Sequence, residues 1–294
     1  MSVNQFRKGL RGVSKQALIG VEPRELLLLT STDANTIYVN RPSSHGTAWS
    51  ARMQRNLGGS DSTDLGDPHA NFRRTGSYEL PSVTSDPTAP LYTLGADIGA
   101  FDYALQETTT GLTGGSYHGG AVPVFENWYA DDVLVDPLSG TLRAKVFKFA
   151  NQVTITYGPG ITALVDYLLT FNADGTLYED TTVTSTAAFA NTAYIHMEIV
   201  AYAFTQAIAD GGAPTDISAI TDHAFGTTGD LKLLNPSTGH SVRVVTDANL
   251  VPGYKDTLIR TTADRQKFYF HQGSTAGAAW GTKRARRTIS FAKS

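Results

Sequence analysis

The chain has 294 residues, 41% of them hydrophobic, which is enough to build a sizeable core, and only 17% charged, below the roughly 25% of an average soluble domain. It contains no cysteine, so disulfides and thiolate metal sites are excluded, and its formal net charge of −3 gives no general drive toward nucleic acid. No apolar run approaches the length of about 18 residues that a membrane-spanning helix requires, so no membrane insertion is expected.

Residues 1–24 carry Arg7, Lys8, Arg11, Lys15 and Arg24 and read as a basic arm or attachment segment, ahead of one β-sandwich domain over 25–294. No apolar segment with a small-residue cleavage site follows the first basic residues, so a secretory signal is not expected. Glu25–Thr30 and Thr36–Asn40 predict two strands joined by the polar turn STDAN. From 42 to 113 the periodicity weakens and Gly, Ser, Asp and Pro dominate. That pattern predicts a long ordered loop region anchored by Trp49, Met53, Phe72 and Tyr78. Within it, ADIGAFDYALQET reads as one helical turn. The stretch GGSYHGG, Gly114–Gly120, reads first as a tight strand connection at the rim of a sandwich, with a ligand loop and a catalytic loop as the alternatives.

From Glu126 the β pattern is dense. A short strand at Val133–Val135 and the turn DPLSG precede TLRAKVFKFANQVTITY. Its alternation sets Leu142, Ala144, Val146 and Lys148 against Arg143, Lys145, Phe147 and Phe149, as expected of a strand covered on both faces. Ala163–Phe171 and Thr176–Thr186 form a predicted hairpin whose turn needs a positive φ at Gly175. Further strands follow in AYIHMEIVAYAFTQ, DLKLLNP, SVRVVTD, DTLIRTT, QKFYFHQ and RRTISFA. Turn signals recur roughly every 8–15 residues without strand–helix alternation. The predicted fold is all-β, an antiparallel β-sandwich or jelly-roll-like architecture with a long irregular N-terminal region. Lys283, Arg284, Arg286, Arg287 and Lys293 read as a solvated basic tail, or else as one that docks on an acidic surface or nucleic acid.

No established catalytic or metal-binding motif occurs. His118 is the sharpest candidate, because an imidazole flanked by glycines can act as a base or meet a sugar hydroxyl while the backbone stays accessible. Tyr117 joins it if the protein is an enzyme. Glu126, Asp131 and Asp132 follow, and two of them would make a glycosidase pair if folding set them about 5–9 Å apart. Against this, His118 suits backbone hydrogen bonding in a corner loop, and Asp131 and Asp132 project apart if they sit on a strand. The candidate ligand-binding residues are His118, Glu126, Trp128 and Tyr129. Trp49, Trp128, Tyr129 and Trp280 are either stacking platforms or core anchors. In the loop bearing Asp61, Asp64, Asp67, His69, Arg73 and Arg74, Asp67 and His69 could take a divalent ion, but the same residues serve turn hydrogen bonds equally well. No metal and no cofactor are expected.

The loop Gly114-Gly115-Ser116-Tyr117-His118-Gly119, the acidic segment after it and the run of strands to Phe204 resemble structural proteins of tailed bacteriophages, of the fibre, spike or receptor-binding type. In that pattern a glutamate follows the His-Gly pair two or three residues on. Here Gly120 and Ala121 hold those places and Glu126 is the first acid, so no carboxylate stands beside the histidine. The resemblance implies a virion component assembled in a bacterial cytoplasm and built as a homo-oligomer. Its N-terminal arm would contact other virion proteins, and its loops a host-surface polysaccharide. The alternative is a β-sandwich polysaccharide lyase or glycoside hydrolase, with Tyr117 and His118 as acid and base and Arg143 or Arg52 neutralising substrate charge.

Overall fold

The computed structural model describes residues 26–55, 72–94, 101–115, 118–190, 194–201, 204–226, 228–246, 257–263, 265–271 and 279–294. In chain order the strands are β1 Leu27–Asp33, β2 Thr36–Pro42, β3 Ala48–Gln54, β4 Arg73–Leu80, β5 Tyr92–Thr93, β6 Phe101–Gln106, β7 Thr113–Gly115, β8 Ala121–Ala130, β9 Val133–Val135, β10 Leu142–Ala144 and β11 Val146–Gly158. They continue with β12 Ile161–Asn172, β13 Leu177–Ser185, β14 Tyr194–Ala201, β15 Gln206–Ala209, β16 Thr215–Asp216, β17 Asp222–Ala224, β18 Asp230–Leu234, β19 His240–Thr246, β20 Thr257–Thr261, β21 Arg265–His271 and β22 Gly281–Lys293. No helix occurs among the described residues, and the fold is all-β and antiparallel, as the turn spacing predicts.

Three sheets form. A ten-stranded sheet runs β16-β15-β18-β19-β22-β13-β12-β11-β8-β9, and two six-stranded sheets run β10-β1-β2-β3-β4-β5 and β17-β20-β21-β14-β6-β7. The long central strands dictate the layering. In β11 the side chains of Phe147, Phe149, Val153, Ile155 and Tyr157 are buried on one face, while Lys148, Gln152 and Thr154 on the other are half-buried. Both six-stranded sheets cover that apolar face. Phe72, just before β4, packs edge-on against Trp128 of β8 at 6.1 Å, and the Tyr157 hydroxyl at the far end of β11 donates to the Leu105 carbonyl of β6 at 2.9 Å. One apolar cluster therefore joins Ile37 and Met53, Val165 and Ile289, and Ile259 and Phe268 across all three sheets. On the opposite face the described side chains of β11 are half-buried or exposed, so the strand is not covered on both faces as expected, and Phe147 and Phe149, two residues apart, share the inner one.

The structure departs from the predicted elements at four places. The region 42–113 is not one loop, for it contains β3, β4, β5 and β6. The segment read as a helical turn is, in its described part from Phe101, the strand β6. Leu142–Ala144 and Val146–Gly158 are two strands in different sheets. The crossing at Lys145 is held by Asp131, whose Oδ1 accepts the amides of Lys145 at 2.9 Å and Val146 at 3.0 Å. Finally, the basic C-terminal residues form β22, between β19 and β13 within the large sheet, and are no tail. The hairpin of β12 and β13 has Gly175 at φ 86°, as anticipated, and its turn is closed by Asp174 Oδ1 accepting the Thr176 amide at 2.9 Å. The proposed arm at 1–24 lies outside the described residues.

Candidate functional site

The glycine loop carries the chain from β7, at the edge of one six-stranded sheet, into β8 of the ten-stranded sheet. Gly115 donates its amide to the Gly119 carbonyl at 3.2 Å, and Gly119 and Gly120 take φ values of 80° and 72°, the left-handed region that glycine reaches without strain. The result is a tight reversal between layers. His118 sits half-buried in this turn, and Tyr117 lies outside the described residues.

Glu126 and Trp128 point to the inner side of β8, and Tyr129 to the open side. Trp128 is 2% exposed, with its ring 4.9 Å from that of Phe149, so it fills the core and presents no platform to solvent. Trp49 and Trp280 are buried in the same way. Glu126 Oε2 accepts the Phe72 amide at 2.8 Å, and Oε1 lies 3.9 Å from Arg55. Burial pushes its carboxyl above the usual carboxylate range, more than the Phe72 amide and Arg55 lower it. Asp131 and Asp132, at φ 47° and 66°, are the two turn residues of the β8–β9 hairpin, and both positive values identify the twisted turn such hairpins favour. Asp132 pairs with Lys148 at 2.5 Å. Tyr129 is half-buried. The loop of Asp61, Asp64, Asp67 and His69 lies outside the described residues. Arg73 and Arg74, placed in that loop by sequence, begin β4 and are buried.

The densest polar chemistry lies where the β1–β5 sheet meets the large sheet. Glu179 of β13 is fully buried and accepts Arg74 Nε at 3.2 Å and Nη2 at 3.0 Å, Arg287 Nε of β22, and the Tyr167 hydroxyl of β12 at 3.2 Å. Burial raises its carboxyl, but Arg287 and Arg74 more than offset this and hold it below the usual range. Nearby, Glu79 Oε2 meets His240 Nε2 at 2.8 Å and Lys293 Nζ at 3.1 Å, and the His240 ring stacks on Tyr92 at 3.9 Å. Arg41 of β2 is the anomaly. It is fully buried, its guanidinium lies 5.6 Å over the Phe291 ring, and none of its three nitrogens has a hydrogen-bond partner among the described residues. Burial first and Arg74 second push its pKa down to about 9.

The open face of the ten-stranded sheet offers a surface of another kind. Two shallow grooves cross it and share β19 and β22. The larger, of about 540 Å³, is lined by Leu168, Thr170, Tyr178, Asp180, Arg286 and Thr288. The smaller, of about 340 Å³, is lined by Asp230, Lys232, Ser241, Arg243 and Ser290. Asp180, Arg286, Asp230 and Arg243 are fixed by pairing across strands. Asp180 is held by Arg284 and by Arg286, the latter through Nη2 at 2.6 Å, and Asp230 accepts Arg243 Nε at 2.8 Å. Tyr178 stands among them, 42% exposed. Among the described residues no group of three His, Asp or Glu side chains is placed to hold a metal ion.

Sequence reasoning missed both the buried ionic seam and this face. A signal for the seam was present. Period-two reading of TKRARRTISFA puts Arg287 on one face with Ala285, Ile289 and Phe291, and LYEDTTV puts Glu179 with Leu177 and Val183. A charge on an apolar face calls for a buried partner.

No family model matches the sequence, and no curated protein matches it. Among solved structures, the chain is similar to the protein HI1317, with TM-score 0.35 and 8% identity over 91% of this chain and 99% of that one. It is also similar to 4-alpha-glucanotransferase from Thermococcus litoralis, with TM-score 0.37 and 10% identity over 90% of this chain and 39% of that one. The chain thus spans well under half the length of the glucanotransferase. Likeness at these scores carries no statement about activity.

Proposed function

We propose that the protein is a structural and host-recognition subunit of a tailed-phage or phage-like particle, and that the open face of its ten-stranded sheet binds a cell-surface polysaccharide. The observation that carries the binding role is the pair of grooves across β12, β13, β22, β19 and β18. They are lined by hydroxyls, by charged groups held rigid on strands, and by the exposed ring of Tyr178. Shallow grooves that continue across neighbouring strands suit a polymer lying along the sheet, whereas small-molecule sites enclose most of their ligand. The assignment to a particle is supported by the resemblance over Gly114–Phe204.

Calorimetric titration with envelope polysaccharides tests the binding role. Tyr178→Ala is expected to weaken binding about tenfold, or about 1.4 kcal/mol, with unchanged thermal stability, and His118→Ala is expected to leave affinity intact. A wild type that binds no polysaccharide, or a loss confined to His118→Ala, overturns it. Immunogold labelling of particles shed by the producing cells tests the other part, and gold absent from heads and tails removes it.

One observation favours the lyase or hydrolase alternative. The half-buried Glu126 carboxyl is raised by burial, as a general acid requires. Its oxygens are engaged by the Phe72 amide and by Arg55, which describes a tie between β8 and the start of β4 equally well. Depolymerisation by the wild type, lost in Glu126→Gln, would favour catalysis.

A further inference from the structure

Most of the large apolar side chains left open among the described residues gather on one corner. Val122 is 65% exposed, Val124 58%, Phe125 39%, Val133 57% and Leu134 62%. All belong to β8 and β9, the last two strands of the ten-stranded sheet. The cause lies in the register. Pro123 stands opposite Val153 and Phe125 opposite Gln152, so Val124 has no partner on β11 and the alternation slips by one residue. Val122, Val124 and Phe125 are all left open as a result. Among the described residues the backbone edge is open as well: β9 pairs with β8 only over Trp128–Ala130, and no described strand lies beside Ala121–Asn127 on that side.

Natural sheet edges are usually blunted by charges, by proline or by cover from another element. This one has Pro123 but no charged residue between Ala121 and Phe125, and Glu126 is turned inward to Phe72 and Arg55. We propose that the β8–β9 edge is a two-fold interface between two copies of this chain, with β8 lying antiparallel beside β8 of the second copy. A two-fold contact sets a patch against itself, so a charged strip would repel its own copy, whereas a neutral apolar one is self-complementary. The size fits too. Side chains open to this degree leave on the order of 100 Å² each, so the strip approaches roughly 500 Å², the range in which an apolar patch marks a contact surface. Were the whole strip covered, two copies would bury about 1,000 Å², at the threshold for a specific interface, and the paired backbone edges add to it. The interface is independent of what the open face binds.

Sedimentation and light scattering on the full chain at micromolar concentration are expected to give a dimer mass, or a multiple of it. Val124→Lys combined with Leu134→Lys is expected to weaken association at least tenfold while leaving the β-sheet circular dichroism unchanged. The absence of cysteine allows a second test that does not depend on that variant folding. A single Val124→Cys substitution is expected to form a disulfide-linked dimer under mild oxidation, and Ile220→Cys, on an equally exposed apolar residue elsewhere, is expected not to. A monomeric wild type, a charged variant that keeps its dimer mass, a trimer, or equal cross-linking at both positions overturns the interface.

Discussion

A β-carbon built on Gly115 meets the carbonyl oxygen of Tyr103 at 2.0 Å and the Cα of Ala104 at 3.2 Å, both backbone atoms of the adjoining strand that cannot swing aside. Gly115→Ala therefore has to push β6 and β7 apart. We expect a loss of about 3 kcal/mol, measured by denaturant unfolding, and a loss under about 1 kcal/mol would show that the corner relaxes. Arg41 poses the opposite case, a buried cation whose guanidinium nitrogens have no hydrogen-bond partner among the described residues. Replacing an uncompensated charge with an apolar side chain of similar volume is often neutral or stabilising by about 1–4 kcal/mol. Arg41→Met is expected to hold or raise the melting temperature. A clear fall would mean that the guanidinium is compensated in a way its described surroundings do not reveal.

Three strands carry the ionic seam. β4 contributes Arg74, β13 Glu179 and β22 Arg287, so one carboxylate ties the β1–β5 sheet to the large sheet. Glu179→Ala leaves two buried guanidinium groups without their common anion and is expected to cost about 3–5 kcal/mol, measured by denaturant unfolding. A cost near 1 kcal/mol would mean that water replaces the anion. The seam also explains why β4 escaped the period-two reading. Arg73, Arg74, Thr75, Ser77 and Glu79 are all buried, and the strand's apolar residues are only Tyr78 and Leu80, which pack with Tyr38 and Ala48 in a small separate cluster, too few to betray the strand. Its neighbour β3 was readable in principle. Trp49, Ala51 and Met53 alternate and all three are buried, but the Gly- and Asp-rich stretch beside them masked the signal. β11 and β12 were legible because their inner positions are mostly apolar, and β13 because its turn and its pairing partner β12 are, although it sets Glu179, Thr181 and Ser185 inward between and beside Leu177 and Val183.

The response of the folded chain to acid follows from the same carboxylates. Glu179, Glu79 and Asp180 are held below the usual range by their Arg, His and Lys partners despite burial. A carboxylate lowered on folding stabilises fully above its unfolded value, about 4, and that contribution is lost as pH falls from there through the folded value. Glu126 has the opposite sign. Its raised value costs stability as pH rises from the unfolded value through the folded one. With Asp86, Glu107 and Asp216, six carboxylates among the described residues are lowered against the one raised, which predicts a melting temperature that falls steeply below about pH 4, and a shallower acid slope in Glu179→Gln. Equal slopes for wild type and variant would mean that Glu179 does not carry the linkage.

Alternation, turn residues and missing motifs were enough to establish the all-β class, the β12–β13 hairpin with its left-handed Gly175, and most of the longer strands in the second half of the chain. These are local properties, dictated by side-chain period and by which residues tolerate positive φ. Which face of each strand is covered, and by what, is a property of segments distant in sequence. Glu179 and Arg74 lie 105 residues apart, and His240 and Glu79 161 apart. Only the packing of sheets could turn a basic C-terminus into an inner strand, sink Trp128 into the core, and leave one face of the large sheet and its β8–β9 edge open. Burial is decided by what arrives on the other side, and no window of sequence contains that.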